Sequence, residues 1–228
     1  MKHNNNIFRF CLSLLCLIVG SLFFITAPLS AEIIILEDRN ETYELGKKVR
    51  YYEDKTNQLT RSDIQKKSYF SQFKQSEESI PFFGFTSSTY WVHFQIKDIS
   101  TICNNWILEM GYSFYENIDI FILKDGKKIR HIHSGDHIHP NKRDVKHRNY
   151  LFKLLLSKNE IYDVFIKVQN RQIMVFPLTV RSISSMSQKI QTEYIFLGIF
   201  YGFIIIMIFY NFFIFISIKG ASYLYYIG

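Results

Sequence analysis

Tyr90-Trp91-Val92-His93-Phe94-Gln95-Ile96 alternates, so that Tyr90, Val92, Phe94 and Ile96 fall on one face. A period of two marks a β-strand with one side on a core. Working outward, residues 106–110 and 118–123 follow as apolar runs. Lys124-Asp125-Gly126-Lys127 places Asp-Gly at the centre of a two-residue hairpin turn, with 128–133 as the returning strand. Tyr150, Phe152, Leu154 and Leu156 alternate again, as do Tyr162, Val164, Ile166 and Val168. Residues 173–180 close the set, and Pro177 points to an edge position. Upstream, Thr60 with Asp63 three places on predicts a capped helix running to about Phe70. About seven or eight short strands, roughly ten residues apart, predict an all-β domain over 32–185: an antiparallel, jelly-roll-like β-sandwich.

On either side of this domain the composition changes. The chain of 228 residues is 48% hydrophobic, 17% aromatic and 21% charged, yet its mean hydropathy is zero. That average hides two apolar ends around a polar centre. Such a chain is neither disordered, which needs few aromatics, nor collagen-like, since Gly is only 10, nor a disulfide scaffold, since Cys is only 3. Lys2 and Arg9, an apolar stretch over 10–27 and then Pro28-Leu29-Ser30-Ala31 have the order of an export signal covering 1–31, with an uncleaved anchor as the alternative. Its removal lowers the net charge from +7 to +5 and leaves Cys103 as the only cysteine, so the exported domain has no internal disulfide.

Residues 195–218 carry no charge, which predicts a transmembrane helix over 194–218 in the lipid bilayer. With the sandwich exported, Lys219 falls on the cytoplasmic side, as the positive-inside bias prefers. This places the chain in the cytoplasmic (inner) membrane. A Ser-rich segment, 182–187, reads as the short connection into the membrane. Gly198 and Gly202 form a step that lets a partner helix approach closely, and a neighbouring helix is the natural acceptor for the amide of Asn211. The aromatic, uncharged residues 221–228 predict the start of a second span.

Chemistry-bearing residues concentrate in one region. His131, His133, His137, His139 and His147 lie close together, and alternate histidines in a hairpin could bind zinc or copper. The same pattern suits a solvated strand face, and with no cysteine nearby the expectation is no metal and no cofactor. No nucleophile elbow, zinc-protease motif or phosphate-cradling loop is present. Asp119, Asp125 and Asp136 read as surface or turn acids rather than a hydrolytic pair. Basic residues are scattered among acidic ones, so nucleic acid is not a partner.

Trp91 could stack on a sugar ring, as could Trp106, although core packing is the competing role for both. Gly135-Asp136, Arg143, His147 and Arg148 frame a loop at one end of the sandwich. Asp accepts from hydroxyls and the Arg fork suits carboxylates or vicinal hydroxyls, so Asp136, Arg143, His147, Arg148 and Trp91 are the candidate ligand-binding residues. The competing role is a clasp in which Asp136 pairs with Arg143 or Arg148 to pin the loop.

Taken together, several stretches resemble one family. Gly84-Phe85-Thr86-Ser87-Ser88-Thr89-Tyr90-Trp91-Val92 is similar to its strand entry, and Ile118-Asp119-Ile120-Phe121 with Asp125-Gly126 follows. Ser134-Gly135-Asp136, Arg143 and His147-Arg148-Asn149 are similar to its Gly-Asp…Arg…His-Arg segment. Gly198, Tyr201-Gly202, Tyr210-Asn211 and Ser222-Tyr223-Leu224-Tyr225-Tyr226 resemble the opening of its membrane region. The family is that of bacterial seven-transmembrane receptors with diverse intracellular signalling modules (7TMR-DISM), with the second type of extracellular domain. The resemblance implies an exported sensor domain for a carbohydrate or other small polar ligand, seven helices, and a cytoplasmic output module.

This sequence therefore predicts the sensing portion of a receptor, a binder rather than an enzyme, with the remaining helices and output missing. The rival readings are a membrane-tethered carbohydrate hydrolase and a one-span envelope adhesion or structural protein.

Overall fold

A computed structural model of the chain describes residues 32–102 and 105–218. The expected export signal, Cys103 and the expected second span lie outside the described residues. Among the described residues there are thirteen strands: β1 (Ile33–Leu36), β2 (Thr42–Glu44), β3 (Arg50–Asp54), β4 (Lys74–Gln75), β5 (Phe82–Phe85), β6 (Thr89–Asp98), β7 (Trp106–Met110), β8 (Asn117–Lys124), β9 (Lys127–Ser134), β10 (Tyr150–Leu154), β11 (Ile161–Gln169), β12 (Ile173–Val175) and β13 (Leu178–Ser182). Helices α1 (Arg61–Ile64) and α2 (Lys67–Phe70) interrupt the strands, and α3 (Ile183–Ile218) ends the described chain.

Two sheets face one another. The larger runs β4-β3-β6-β11-β8-β9, with β1 added in parallel beside the far half of β6. The smaller runs β10-β7-β13-β2, and β5 pairs with β12 as a separate ribbon. Apart from β1 with β6, the ladders are antiparallel. Val92, Phe94 and Ile96 meet Leu108, Met110, Phe152 and Val180 across the sandwich, all essentially excluded from water. Burial of such side chains stabilises by about 2 kcal/mol each, so this layer dominates the folding energy.

The alternation at the centre of β6 understates its burial, because its second face is covered as well. Trp91 and His93 point away from the main core and lie under Ile64, Tyr69, Phe70 and Phe73 of the α1–α2 segment. A capping box starts this segment: Thr60 accepts from the Asp63 N–H while Asp63 accepts from the Thr60 N–H. The single helix expected to Phe70 is instead two short turns, broken where Lys66 adopts an extended conformation as the cap of α2. The break lets Ile64 and Phe70 both face the sheet.

The β8–β9 hairpin turns at Asp125 and Gly126, with φ of 50° and 72°, the left-handed pair that a two-residue turn of this hand requires. Pro177 is not on an edge. The run 173–180 divides there into β12 and β13, and β13 lies inside the smaller sheet between β7 and β2. The Pro177 carbonyl accepts from the Gly111 N–H at 2.9 Å, while the missing Pro N–H falls at the break between strands. β1 to β5 lack clean alternation and were not legible as strands. They are short, and several pair at only two to four positions.

Gly135 closes β9 with φ +153°, and a Cβ there would stand 2.0 Å from the Glu116 carbonyl oxygen. Backbone cannot yield as a flexible side chain can. Gly135→Ala should therefore cost about 3 kcal/mol or more. Thermal and denaturant unfolding of the variant beside the parent chain checks this; unchanged unfolding would contradict the packing around Glu116.

Candidate functional site

The helix α3 does not start at the apolar run. It begins at Ile183, directly after β13, and Ser182 Oγ caps it by accepting from the Ser185 N–H at 3.0 Å. The Ser-rich segment is thus the first turn of the helix rather than a linker. Met186, Lys189, Ile190 and Glu193 follow at helical spacing, on one face. That face lies on the outer side of the smaller sheet. Met186 is buried with Ile107 and Leu151, and Val145 and Ile190 pack at the margin.

One turn further on, the contact becomes ionic. Glu109 on β7 is only 2% exposed. Its carboxylate accepts from Asn149 Nδ2 at 2.8 Å, from Arg181 Nε at 3.2 Å, and from the Lys189 ammonium of the helix. Burial pushes its pKa up, but the Lys189, Asn149 and Arg181 donors outweigh that and hold it below the usual carboxylate range. Next along the helix, Glu193 receives Arg148 at 3.0 Å, with Lys189 at 4.0 Å and His147 at 3.7 Å. His147 accepts the Asn149 N–H on Nδ1 at 3.1 Å, which leaves Nε2 to carry the proton toward Glu193. Burial lowers its pKa, so the ring is neutral near pH 7. A cleft of about 410 Å³ opens beside these groups, with Ser113, Thr179 and Arg181 in its wall.

The sequence-expected binding residues separate into two places. His147 and Arg148 reach the membrane helix. Arg143 instead lies over the Tyr150 ring, 4.4 Å from its centroid, with its Nε buried and without a hydrogen bond. Asp136 bonds through its N–H to the Tyr115 carbonyl, and its carboxylate lies 3.4 Å from His137. Neither arginine forms the expected clasp with Asp136: Glu193 takes Arg148, and the tyrosine ring takes Arg143. Trp91 cannot offer a ring face to a ligand here. It is fully buried, stacked on Phe121 with the Lys167 ammonium 5.4 Å from its ring centroid, and Trp106 is likewise core.

The histidines also disperse. His131 and His133 both bond Asp119, at 2.9 and 3.0 Å, and His139 caps the turn at Asn141. Among the described residues no group of three or more such side chains is placed to hold a metal ion.

A second cleft, of about 620 Å³, lies along β3. β4 covers β3 only opposite Arg50 and Tyr51, so the rest of that strand edge stays open. Tyr51, Phe83 and Tyr90 form one wall, with Phe83 and Tyr90 stacked at 4.4 Å and Tyr51 against Phe83 at 4.7 Å. Tyr52, Glu53 and Lys74 complete the rim. Burial, and then the charge of Glu53, push the Tyr90 phenol up to about 12, so it remains a neutral donor and acceptor. The sequence carried a weak signal for this cleft: adjacent Tyr51-Tyr52 place aromatic rings on both faces of one strand.

Comparison with known proteins decides the family. The 7TMR-DISM extracellular 2 domain matches residues 46–182, and the 7TM diverse intracellular signalling region matches residues 193–228. The chain belongs to the 7TMR-DISM receptors. The two matches divide the chain near the start of α3, so the contact of Glu109 with Lys189 and of Arg148 with Glu193 lies where the sensor domain of such a receptor meets its membrane region. In this 7TMR-DISM chain α3 is long and apolar enough to cross a membrane, and the sandwich stands outside it. No curated protein matches. A solved structure, the GH31 alpha-xylosidase of Xanthomonas citri, is 14% identical with a TM-score of 0.23, covering 64% of this chain and 16% of its own length. At that score it carries no argument for hydrolysis.

Because the folded pKa of Glu109 is depressed, its contribution is fully present above the ordinary carboxylate range and is lost as pH falls through the lower folded value. The full chain should therefore lose melting temperature progressively below about pH 4.5. Glu109→Gln should melt lower at neutral pH, by the equivalent of about 3 kcal/mol, and lose less on acidification. Differential scanning fluorimetry across pH checks both; parallel curves for parent and variant would contradict the assignment.

Proposed function

We propose that this chain is the ligand-sensing end of its receptor: the sandwich holds a small polar ligand outside the cytoplasm, in the cytoplasmic membrane of its cell, and passes occupancy to the helices. The observation that carries this reading is the aromatic cleft along the open edge of β3. The half-buried rings of Tyr51, Tyr52 and Phe83, backed by the buried Tyr90, suit the apolar side of a sugar ring, while Glu53 accepts from hydroxyls and Lys74 donates to them. A carbohydrate is the ligand class that fits this lining. In this reading the loop residues His147 and Arg148 keep the sandwich and the helix in register, Asp136 and Arg143 hold the loop to the sandwich, and the Glu109–Lys189 contact is the relay. Receptors of this family would carry the signal through seven helices to a cytoplasmic module. Binding, not catalysis, is the task.

Glu53→Gln or Lys74→Ala should weaken binding of a glycan identified on an array by about tenfold, equivalent to one charged hydrogen bond, with little change in melting temperature. Arg143→Ala should do the reverse: a lower melting temperature through the lost Tyr150 contact, with affinity retained in the folded fraction. Isothermal titration with the full chain in detergent distinguishes them. Lost affinity in Arg143→Ala with unchanged melting would move the site to the loop. Topology follows as well: a reporter fused after Val180 should read as exported and one after Lys219 as cytoplasmic, whereas a cytoplasmic reading at the first junction would defeat the proposal.

A further inference from the structure

The cleft beside Glu109 has a position that the sensing role does not explain. The charge-free run of α3 starts right after Glu193, and Tyr194, Ile195 and Phe196 are exposed apolar rings and chains. A hydrocarbon layer of about 30 Å begins there, so Glu193 stands at headgroup depth and Lys189 about one turn, or 5 Å, above it. Every group lining this cleft from the helix side is therefore within reach of lipid.

Its chemistry fits one kind of occupant. Three cations, Arg148, Arg181 and Lys189, face two carboxylates, Glu109 and Glu193, so the lining has an excess positive charge. Arg148 puts one nitrogen on Glu193, and its side chain is 60% exposed and lines the cleft. Lys142 and Lys146, both exposed, stand on the same loop, whose Val145 packs beside Met186 and Ile190 and so holds the lysines next to the helix. The wall adds the hydroxyls of Ser113 and Thr179. A guanidinium fork and an ammonium suit a phosphate, and hydroxyls suit a polyol.

We propose that this cleft seats the headgroup of an anionic phospholipid, its phosphate on Arg148 and Lys189 and its glycerol hydroxyls on Ser113 and Thr179. The bound phosphate would share Arg148 with Glu193, so lipid composition would set how firmly the sandwich is held to the helix. Juxtamembrane basic side chains draw anionic lipid in the same way. The site is separate from the aromatic cleft, so it stands or falls independently of the glycan reading.

The test uses the full chain in nanodiscs of phosphatidylcholine with phosphatidylglycerol titrated in, released into native mass spectrometry. The expected result is phosphatidylglycerol retained in preference to phosphatidylcholine, with retention falling about tenfold in Arg148→Ala and largely kept in Arg148→Lys. Lys128→Ala, on the exposed far end of β9, should match the parent. Since Arg148→Ala also frees Glu193, Thr179→Val serves as a second variant that leaves each ion pair in place, and it should lower retention as well. Equal retention of the two lipids by the parent would overturn the proposal, as would parent-like retention in both Arg148→Ala and Thr179→Val. Displacement of the lipid by free glycerol phosphate at equal concentration would assign the cleft to a solute and overturn the lipid assignment.

Discussion

A single buried carboxylate ties the two halves of this molecule together. Glu109 lies in the middle of the smaller sheet, on the face turned away from the sandwich core, where an unpaired charge would cost several kcal/mol. It is tolerated because the helix brings Lys189 and the sheet brings Asn149 and Arg181. If the helix leaves, Glu109 loses its nearest cation; if Glu109 is neutralised, Lys189 loses the partner that orients it. The position of α3 on the sandwich and the pairing of Glu109 are therefore one constraint.

From that constraint follow the unusual features around it. The helix starts on the sheet instead of after a linker, because Met186 and Ile190 must reach Ile107 and Leu151 before Lys189 can reach Glu109. The loop before β10 bends back to the helix, since Arg148 and His147 complete the shell of Glu193. A receptor needs such a joint. In the proposed sensing role, ligand energy released in the sandwich would reach the membrane through groups that touch both, and these few polar contacts are easier to shift than the apolar layer behind them.

The sandwich was legible wherever strands are half-buried and long, as at 90–96, at 162–168 and in the Asp125-Gly126 hairpin. It is not legible in β1 to β5, where ladders are short and the strands too brief for a period of two to show. The membrane run was plain, yet the helix start was hidden, because Ser182 to Ser185 look like loop residues while serving as a cap. Asn211 illustrates a different limit: its amide donates to the Met207 carbonyl within the helix, at 2.9 Å, a bond that the sequence pattern does not reveal. Among the described residues nothing lies within 4 Å of a would-be Cβ at Gly198 or Gly202. The loop residues Arg143, His147 and Arg148 stand out in the sequence as chemistry-bearing types, but which partner His147 and Arg148 take depends on where α3 lies, and no pattern within the loop encodes that.

The most direct measurement is hydrogen exchange, read by mass spectrometry on the full chain in nanodiscs, of the helical segment 186–193 in the parent and in Glu109→Gln. The account predicts slow exchange in the parent and distinctly faster exchange over 186–193 in the variant, with β6 and β11 unchanged. Equal protection of that segment in both proteins would show that the helix is held by something other than Glu109, and would contradict the joint described above.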